Sequence, residues 1–205
     1  MADSGFFDGG TEYGQEDFNR YFDNLFYSGV SIGDSGDMTM GVTAGSGQIT
    51  IAPGYAILRG FYCSVPDART FTVAPDSNYD RIDRVVVHVN MLTGPAELLV
   101  IKGTPGSTPA PPELTRDDSV HEISLAQIRI TPAGGITVTD ERADQSVCGA
   151  IRPKNMTEYK DMVAEYQRQW DAWFARQQGT GWRNIYIQQA EPGEAVAGSI
   201  WIRIQ

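Results

Sequence analysis

The chain has 205 residues, of which 41% are apolar and 20% charged. This composition is too apolar for a disordered chain and too polar for a membrane protein, and the length suffices to bury a core without disulfides. The net charge of −10 argues against a nucleic-acid binder, because an acidic surface repels phosphate backbones. The N-terminal stretch lacks the basic start and apolar run of a secretory signal, and we expect synthesis in a cytosol.

Residues 1–29 predict an N-terminal arm followed by a short helix. Apolar side chains recur at spacings of three and four across residues 15–27, which is typical of one apolar helix face. Gly29 is the expected end of this helix. The apolar positions are Phe18, Tyr21, Phe22, Leu25 and Phe26.

Residues 30–152 predict an antiparallel β-sandwich or barrel that serves as a docking domain. Short stretches of alternating apolar residues are separated by turn signals such as Pro53-Gly54 and Thr93-Gly94-Pro95. No strong helical pattern lies between these stretches, which favours an all-β fold. The proline-rich segment 103–112 cannot be a central strand, so we expect an extended surface loop or a docking arm there.

Two charge clusters flank predicted strands of this domain. We expect arginines and acids at the two strand ends to pair, joining Arg81 or Arg84 to Asp140 or Glu141. A catalytic carboxylate pair is the disfavoured alternative, because neighbouring arginines hold carboxylates ionised and make them poor proton donors. The clusters comprise Asp80, Arg81, Asp83 and Arg84 in one strand, and Asp140, Glu141 and Arg142 after another.

Residues 153–179 predict a coiled-coil helix. Thr157 is a suitable N-cap and Gly179 a suitable C-terminal stop. Large apolar residues follow the spacing of a heptad seam, although a helix packed on its own domain explains the same pattern. Bulky aromatic seam residues fit a wide core, which favours three strands over two. The predicted oligomer interface is Tyr159, Met162, Val163, Tyr166, Trp170, Trp173 and Phe174.

Residues 180–205 predict a small β-hairpin. Isoleucines alternate on each side of a turn at Pro192-Gly193. Two isolated strands are marginal in water, so we expect this element to pack on the helix or on other copies of itself.

The sequence gives little indication of a metal, cofactor or catalytic site. His88 and His121 have no ligand-spaced partners, so no metal or cofactor is expected. Cys63 and Cys148 are expected to be buried reduced thiols, although one disulfide is possible. No nucleophile has a neighbouring base in sequence, and we therefore expect no enzyme activity.

Several stretches carry a family resemblance: YFDNLFYSGV, IAPGYAILRGFY, YDRIDRVVVHVN, VIKGTPGSTPAPPELTRDDSVHEISLAQIRI, ITVTDERAD and SVCGAI. In this order, over roughly residues 15–151, the chain resembles bacteriophage and prophage tail baseplate structural proteins of the upper-baseplate or receptor-binding-protein type. The resemblance implies an N-terminal β domain that docks to the tail, a helical trimerisation segment and a variable distal part. The chain departs from longer members by stopping soon after the helix.

The function expected from these observations is a structural component of a phage tail tip or baseplate, located in the virion tail. It would form a homotrimer, bind other tail proteins, and neither bind nucleic acid nor insert into a membrane. One alternative is a receptor-binding protein that grips host cell-surface saccharide through Trp182, Tyr186 and Trp201. A second alternative is a wall-degrading tail enzyme.

Overall fold

The computed structural model describes residues 14–176, 185–193 and 198–204. These residues form two compact units, the first ending at Asn155 and the second beginning at Met156. The helices are α1 (Gln15–Leu25) and α2 (Thr157–Arg176). The strands are β1 (Phe26–Tyr27), β2 (Gly29–Val30), β3 (Val42–Gly45), β4 (Gln48–Ile51), β5 (Gly54–Leu58), β6 (Phe61–Val65), β7 (Arg69–Thr72), β8 (Arg81–Asn90), β9 (Ala96–Ile101), β10 (Val120–Ile130), β11 (Ile136–Asp140), β12 (Arg152–Pro153), β13 (Ile185–Gln188) and β14 (Ile200–Arg203).

The first unit is built from antiparallel sheets. A four-stranded sheet has the order β11-β10-β8-β9, and two three-stranded sheets have the orders β2-β5-β6 and β3-β4-β7. The short strands β1 and β12 form a further antiparallel pair. The prediction of a mainly β, antiparallel domain is confirmed. Among the described residues no sheet closes on itself, so the barrel alternative is wrong.

One continuous apolar core joins the three larger sheets. It takes side chains from the four-stranded sheet and from both three-stranded sheets, so burial of one sheet face requires the others. Fully buried members include Ile49, Leu58, Val87, Leu125 and Ile128. This sharing of a core is what makes the first unit a single sandwich-like body.

A β-bulge in β10 explains an irregular apolar pattern in the sequence. Ile123 and Leu125 have odd numbers, whereas Ile128 and Ile130 have even numbers, yet all four belong to the same core. The pairing of β10 with β8 shifts register between Ser124 and Ala126. The extra residue switches the side-chain alternation, so both halves of the strand face the core.

Strand β8 is buried on both of its faces. Val85, Val87 and Val89 face the core, as the sequence predicts. The opposite face is covered by the proline-rich loop, since Arg84 donates from Nη1 to the Pro112 carbonyl at 2.8 Å. The backbone N–H of Gly103 holds the start of the loop by donating to Asp83 Oδ1 at 2.9 Å, on the face that Asp83 shares with Val85. The segment is therefore an extended surface loop held on its own sheet, as expected, and its role as a docking arm stays a prediction.

Helix α1 forms within the predicted segment 15–27 but ends at Leu25. The prediction that Gly29 ends the helix is wrong, because Phe26–Tyr27 form β1 and Gly29 begins β2. The residue it buries is Asn19, and a Cβ at Gly60 would lie 1.9 Å from the Asn19 carbonyl oxygen. Gly60 also has φ near +80°, so glycine is required there for two reasons. The aromatic residues Phe18, Tyr21 and Phe22 of α1 remain exposed.

The second unit contains α2 and a two-stranded ribbon. Strands β13 and β14 pair in parallel, so the predicted antiparallel hairpin is wrong. A parallel pair needs a connection of about a dozen residues, and residues 189–199 supply nearly that length. The alternating isoleucines fit either direction of pairing, which is why the sequence pattern did not distinguish them. Trp182 lies outside the described residues.

Two further sequence expectations concern cysteines and membrane spans. Cys63 and Cys148 are both buried free thiols, as predicted. No helix in the described ranges is both long and apolar enough to span a bilayer.

The closely packed start of the proline-rich loop gives a stability prediction. A Cβ at Gly103 would lie 2.0 Å from the Ile82 carbonyl oxygen, so Gly103→Ala should destabilise the protein by about 1 to 3 kcal/mol. Gly106→Ala is the matched control, because no atom lies within 4 Å of the added methyl group. Urea denaturation of both variants measures the difference, and equal stabilities would contradict the close packing of this loop.

Candidate assembly surfaces

The predicted charge clusters form intrachain ion pairs, and one of them is almost completely buried. Arg81 and Asp83 are only 2% and 1% exposed. The guanidinium clamps the carboxylate through two bonds, Nε to Oδ1 at 2.6 Å and Nη2 to Oδ2 at 3.0 Å. Arg81 Nη2 also donates to the Ala74 carbonyl at 2.8 Å. A buried pair with its remaining hydrogen-bonding capacity met in this way fixes the start of β8.

Glu141 is the centre of a second network on the outer face of the four-stranded sheet. Its carboxylate accepts from Ser124 Oγ at 2.5 Å and from Gln127 Nε2 at 2.6 Å. Arg84 approaches the same carboxylate at 3.4 Å. The pairing of Arg84 with Glu141 is one of the four combinations proposed from sequence; Arg81 instead pairs with Asp83.

The remaining acids of the clusters also have arginine partners. Asp80 accepts from Arg129 Nη2 at 2.6 Å, across the β8–β10 pair. Asp140 accepts from Arg142 at 2.5 Å, and Arg142 also donates to the carbonyls of Met38 and Thr39. Arg142 thus ties the end of β11 to a segment about 100 residues earlier in the chain.

The surroundings of these charged residues and of the Cys148 thiol favour a structural role over proton transfer or nucleophilic attack. The Arg142 guanidinium lowers the pKa of Asp140 from its ordinary value, and the Asp83 carboxylate raises the pKa of Arg81. Burial raises the pKa of the Cys148 thiol to about 12, so it stays protonated and is a poor nucleophile at neutral pH. The described residues contain no group of three or more acids, histidines or cysteines suited to a metal ion.

Helix α2 presents a row of large apolar side chains to solvent. The seven predicted interface residues are between 44% and 61% exposed. Trp170 and Trp173 lie one helical turn apart, with ring centroids 5.2 Å from each other. The opposite face is polar and carries the Arg168–Glu165 pair. The helix is therefore strongly two-sided, with its apolar side uncovered in the single chain.

The ribbon of the second unit also exposes an apolar face. Its register places Ile185 beside Ile200 and Ile187 beside Ile202, and these four side chains share one exposed face. On the other face Trp201 donates from Nε1 to the Gln188 carbonyl at 3.0 Å. The Trp201 ring is thus engaged within the ribbon itself.

The first unit carries exposed aromatic residues that the sequence did not single out as a surface. Tyr55 and Tyr62, on the paired strands β5 and β6, have ring centroids 5.4 Å apart and are exposed. The alternation of β5 and β6 places their apolar neighbours Ala56 and Cys63 in the core and these tyrosines outside. This alternation in the sequence could have predicted that the two tyrosines are exposed.

Comparison with protein-family models and with curated proteins gives no match. Among solved structures, the chain is similar to the crystal structure of the gene 22 product of the Bacillus subtilis SPP1 phage. The two are 14% identical, with a TM-score of 0.36, and the similarity covers 59% of this chain and 88% of that one. At this TM-score the similarity supports no conclusion about function.

The buried ion pair gives a prediction about stability. Asp83→Ala leaves the Arg81 charge buried without its partner and should cost about 3 to 5 kcal/mol of unfolding free energy. Asp140→Ala removes the acid of a pair whose Asp140 side chain is 54% exposed, and should cost about 1 kcal/mol or less. Chemical denaturation compares the two variants. Similar losses of unfolding free energy in the two variants would contradict the conclusion that the buried Arg81–Asp83 pair contributes more to stability than the exposed pair.

Proposed function

We propose that the chain is a non-enzymatic structural component of a phage tail tip or baseplate, and that it acts as a homotrimer. The first unit docks to other tail proteins, and α2 joins three copies. The family resemblance of residues 15–151 supports the tail assignment. The uncovered apolar face of α2 is the observation that carries the assembly.

Burial of the α2 face provides the driving force for association. Tryptophan and tyrosine side chains each carry a large apolar surface, and an exposed patch of this kind marks an interaction site. The seam residues recur at the heptad spacing, so a parallel partner helix meets the same face along its whole length. Wide aromatic rings at the seam positions fill the broader core of a three-stranded coiled coil.

Trimerisation makes weak docking contacts effective. Each first unit presents exposed aromatic residues on α1 and on the β5–β6 surface, including Phe22, Tyr55 and Tyr62. Once one copy has bound, the coiled coil holds the other two at high local concentration. A symmetrical tail structure with repeated sites is the kind of partner that gains most from this arrangement.

Trp170→Asp tests the seam directly. A charge in the apolar seam should dissociate the oligomer to the 22.5 kDa chain while the first unit stays folded. Ala164→Asp is the matched control, because it adds the same charge to the same helix on the polar face. Light scattering measures mass, and circular dichroism checks that folding is retained.

The control should keep the mass of the unmodified protein. The seam assignment fails when Trp170→Asp also keeps that mass.

The tail assignment has its own test. Purified particles from the phage or prophage that encodes this chain should contain it, and antibody labelling should place it at the tail tip. Labelling confined to the capsid, or particles lacking the chain, would overturn the assignment.

A further inference from the structure

A cleft in the first unit has a charge opposite to that of the whole chain. It lies between α1, the β5–β6 turn, the start of β10 and the segment that leads into β12, and its volume is about 470 Å³. Four cationic side chains line it, Arg59, Arg116, Arg152 and Lys154, against the single carboxylate of Asp23. The chain as a whole has a net charge of −10, so the cleft is a local exception.

The one carboxylate is shared between two of the cations. Asp23 Oδ2 lies 3.1 Å from Arg59 Nε, and Asp23 Oδ1 lies 3.2 Å from Lys154 Nζ. Asp23 therefore cannot neutralise both, and a net positive charge remains even within this group.

The other two cations have no acidic partner in the described part of the chain. Arg116 directs its nitrogens to carbonyl oxygens, donating to those of Ser146 at 2.6 Å and Val147 at 2.7 Å. The guanidinium of Arg152 lies 4.8 Å from the centre of the Tyr27 ring. Its Nε is buried and has no hydrogen-bond partner. Two guanidinium charges thus face the cleft region without a counter-charge.

His121, which also lines the cleft, responds to this positive field. Burial is the main cause that lowers the pKa of His121 to about 4, and Arg116 and Arg59 lower it further. Asp23 and Glu122 act in the opposite direction but do not offset the other groups. The imidazole is therefore neutral at pH 7, which leaves it able to take part in a hydrogen bond with a ligand.

We propose that this cleft binds a small polyanion through carboxylate or phosphate groups. The volume lies within the range of about 300 to 1,000 Å³ that is usual for small-ligand sites. Arginine and lysine supply charge-assisted hydrogen bonds to oxyanions, and the planar guanidinium of Arg152 suits a bidentate contact. The acidic remainder of the surface disfavours anions elsewhere, so binding is confined to the cleft.

Calorimetric titration of the full chain at low salt tests the site, with citrate and inorganic phosphate as the probes. The unmodified chain should bind at least one probe, and the tighter probe identifies the preferred oxyanion. The double variant Arg152→Gln/Lys154→Gln should weaken binding about tenfold or more, because it removes two charged donors. Arg69→Gln/Lys102→Gln changes the net charge equally at exposed sites outside the cleft and should bind as the unmodified chain does.

A second readout remains informative if the double variant folds poorly. Addition of the probe at constant pH should shift the proton NMR resonances of His121, which lines the cleft, more than those of His88, which lies outside it. The proposal is overturned when neither probe binds, or when cleft and control variants bind equally. The cleft residues belong to the first unit and the α2 seam to the second. The proposed trimer is therefore tested separately, by the mass of the oligomer, whichever result the anion titration gives.

Discussion

An amphipathic helix in a protein owes most of its stability to the packing of its apolar face. Helix α2 carries two tryptophans, two tyrosines and a phenylalanine on one face, and in the single chain all of them are about half exposed or more. Burial of apolar surface is the dominant favourable term in folding and in association, so this face is a strong driving force for assembly. The proposed trimer follows from that constraint, and the exposed isoleucine face of the ribbon adds to it.

In the first unit, the two charge clusters of the four-stranded sheet are paired within the chain, as in the Arg81–Asp83 clamp and the network around Glu141. Arg116 and Arg152 of the basic cleft are the exception in the described part of the chain. The proline-rich loop covers the outer face of β8 and leaves that strand buried on both sides. The docking role of this unit is a proposal, and the exposed aromatic residues and the basic cleft are the surfaces proposed for recognition.

The sequence predicted the positions of helices and strands more successfully than the pairing between strands. The positions of α1, the valine-rich strand and α2 followed from periodicity, because that signal is local. The parallel pairing of β13 with β14 could not be predicted, since alternating isoleucines look the same in both directions. The β10 bulge was encoded in the switch from Ile123 and Leu125 to Ile128 and Ile130, but the switch has meaning only beside its partner strand.

The sequence was likewise limited in predicting which arginine pairs with which carboxylate in the charge clusters. The sequence indicated arginine–carboxylate pairing, and Arg84 does approach Glu141. It did not indicate that Arg81 takes Asp83 two residues away, because that choice depends on burial at the strand entry. The basic cleft was not predicted either, because Arg59, Arg116 and Arg152 are brought together from distant parts of the chain by the fold.

Sedimentation equilibrium of the unmodified chain over a range of micromolar concentrations measures whether the chain assembles into the proposed trimer. We expect a single species of three times the 22.5 kDa chain mass that does not dissociate on dilution through this range. A well-behaved monomer at every concentration would contradict it, because the aromatic face of α2 would then be stable in water without a partner.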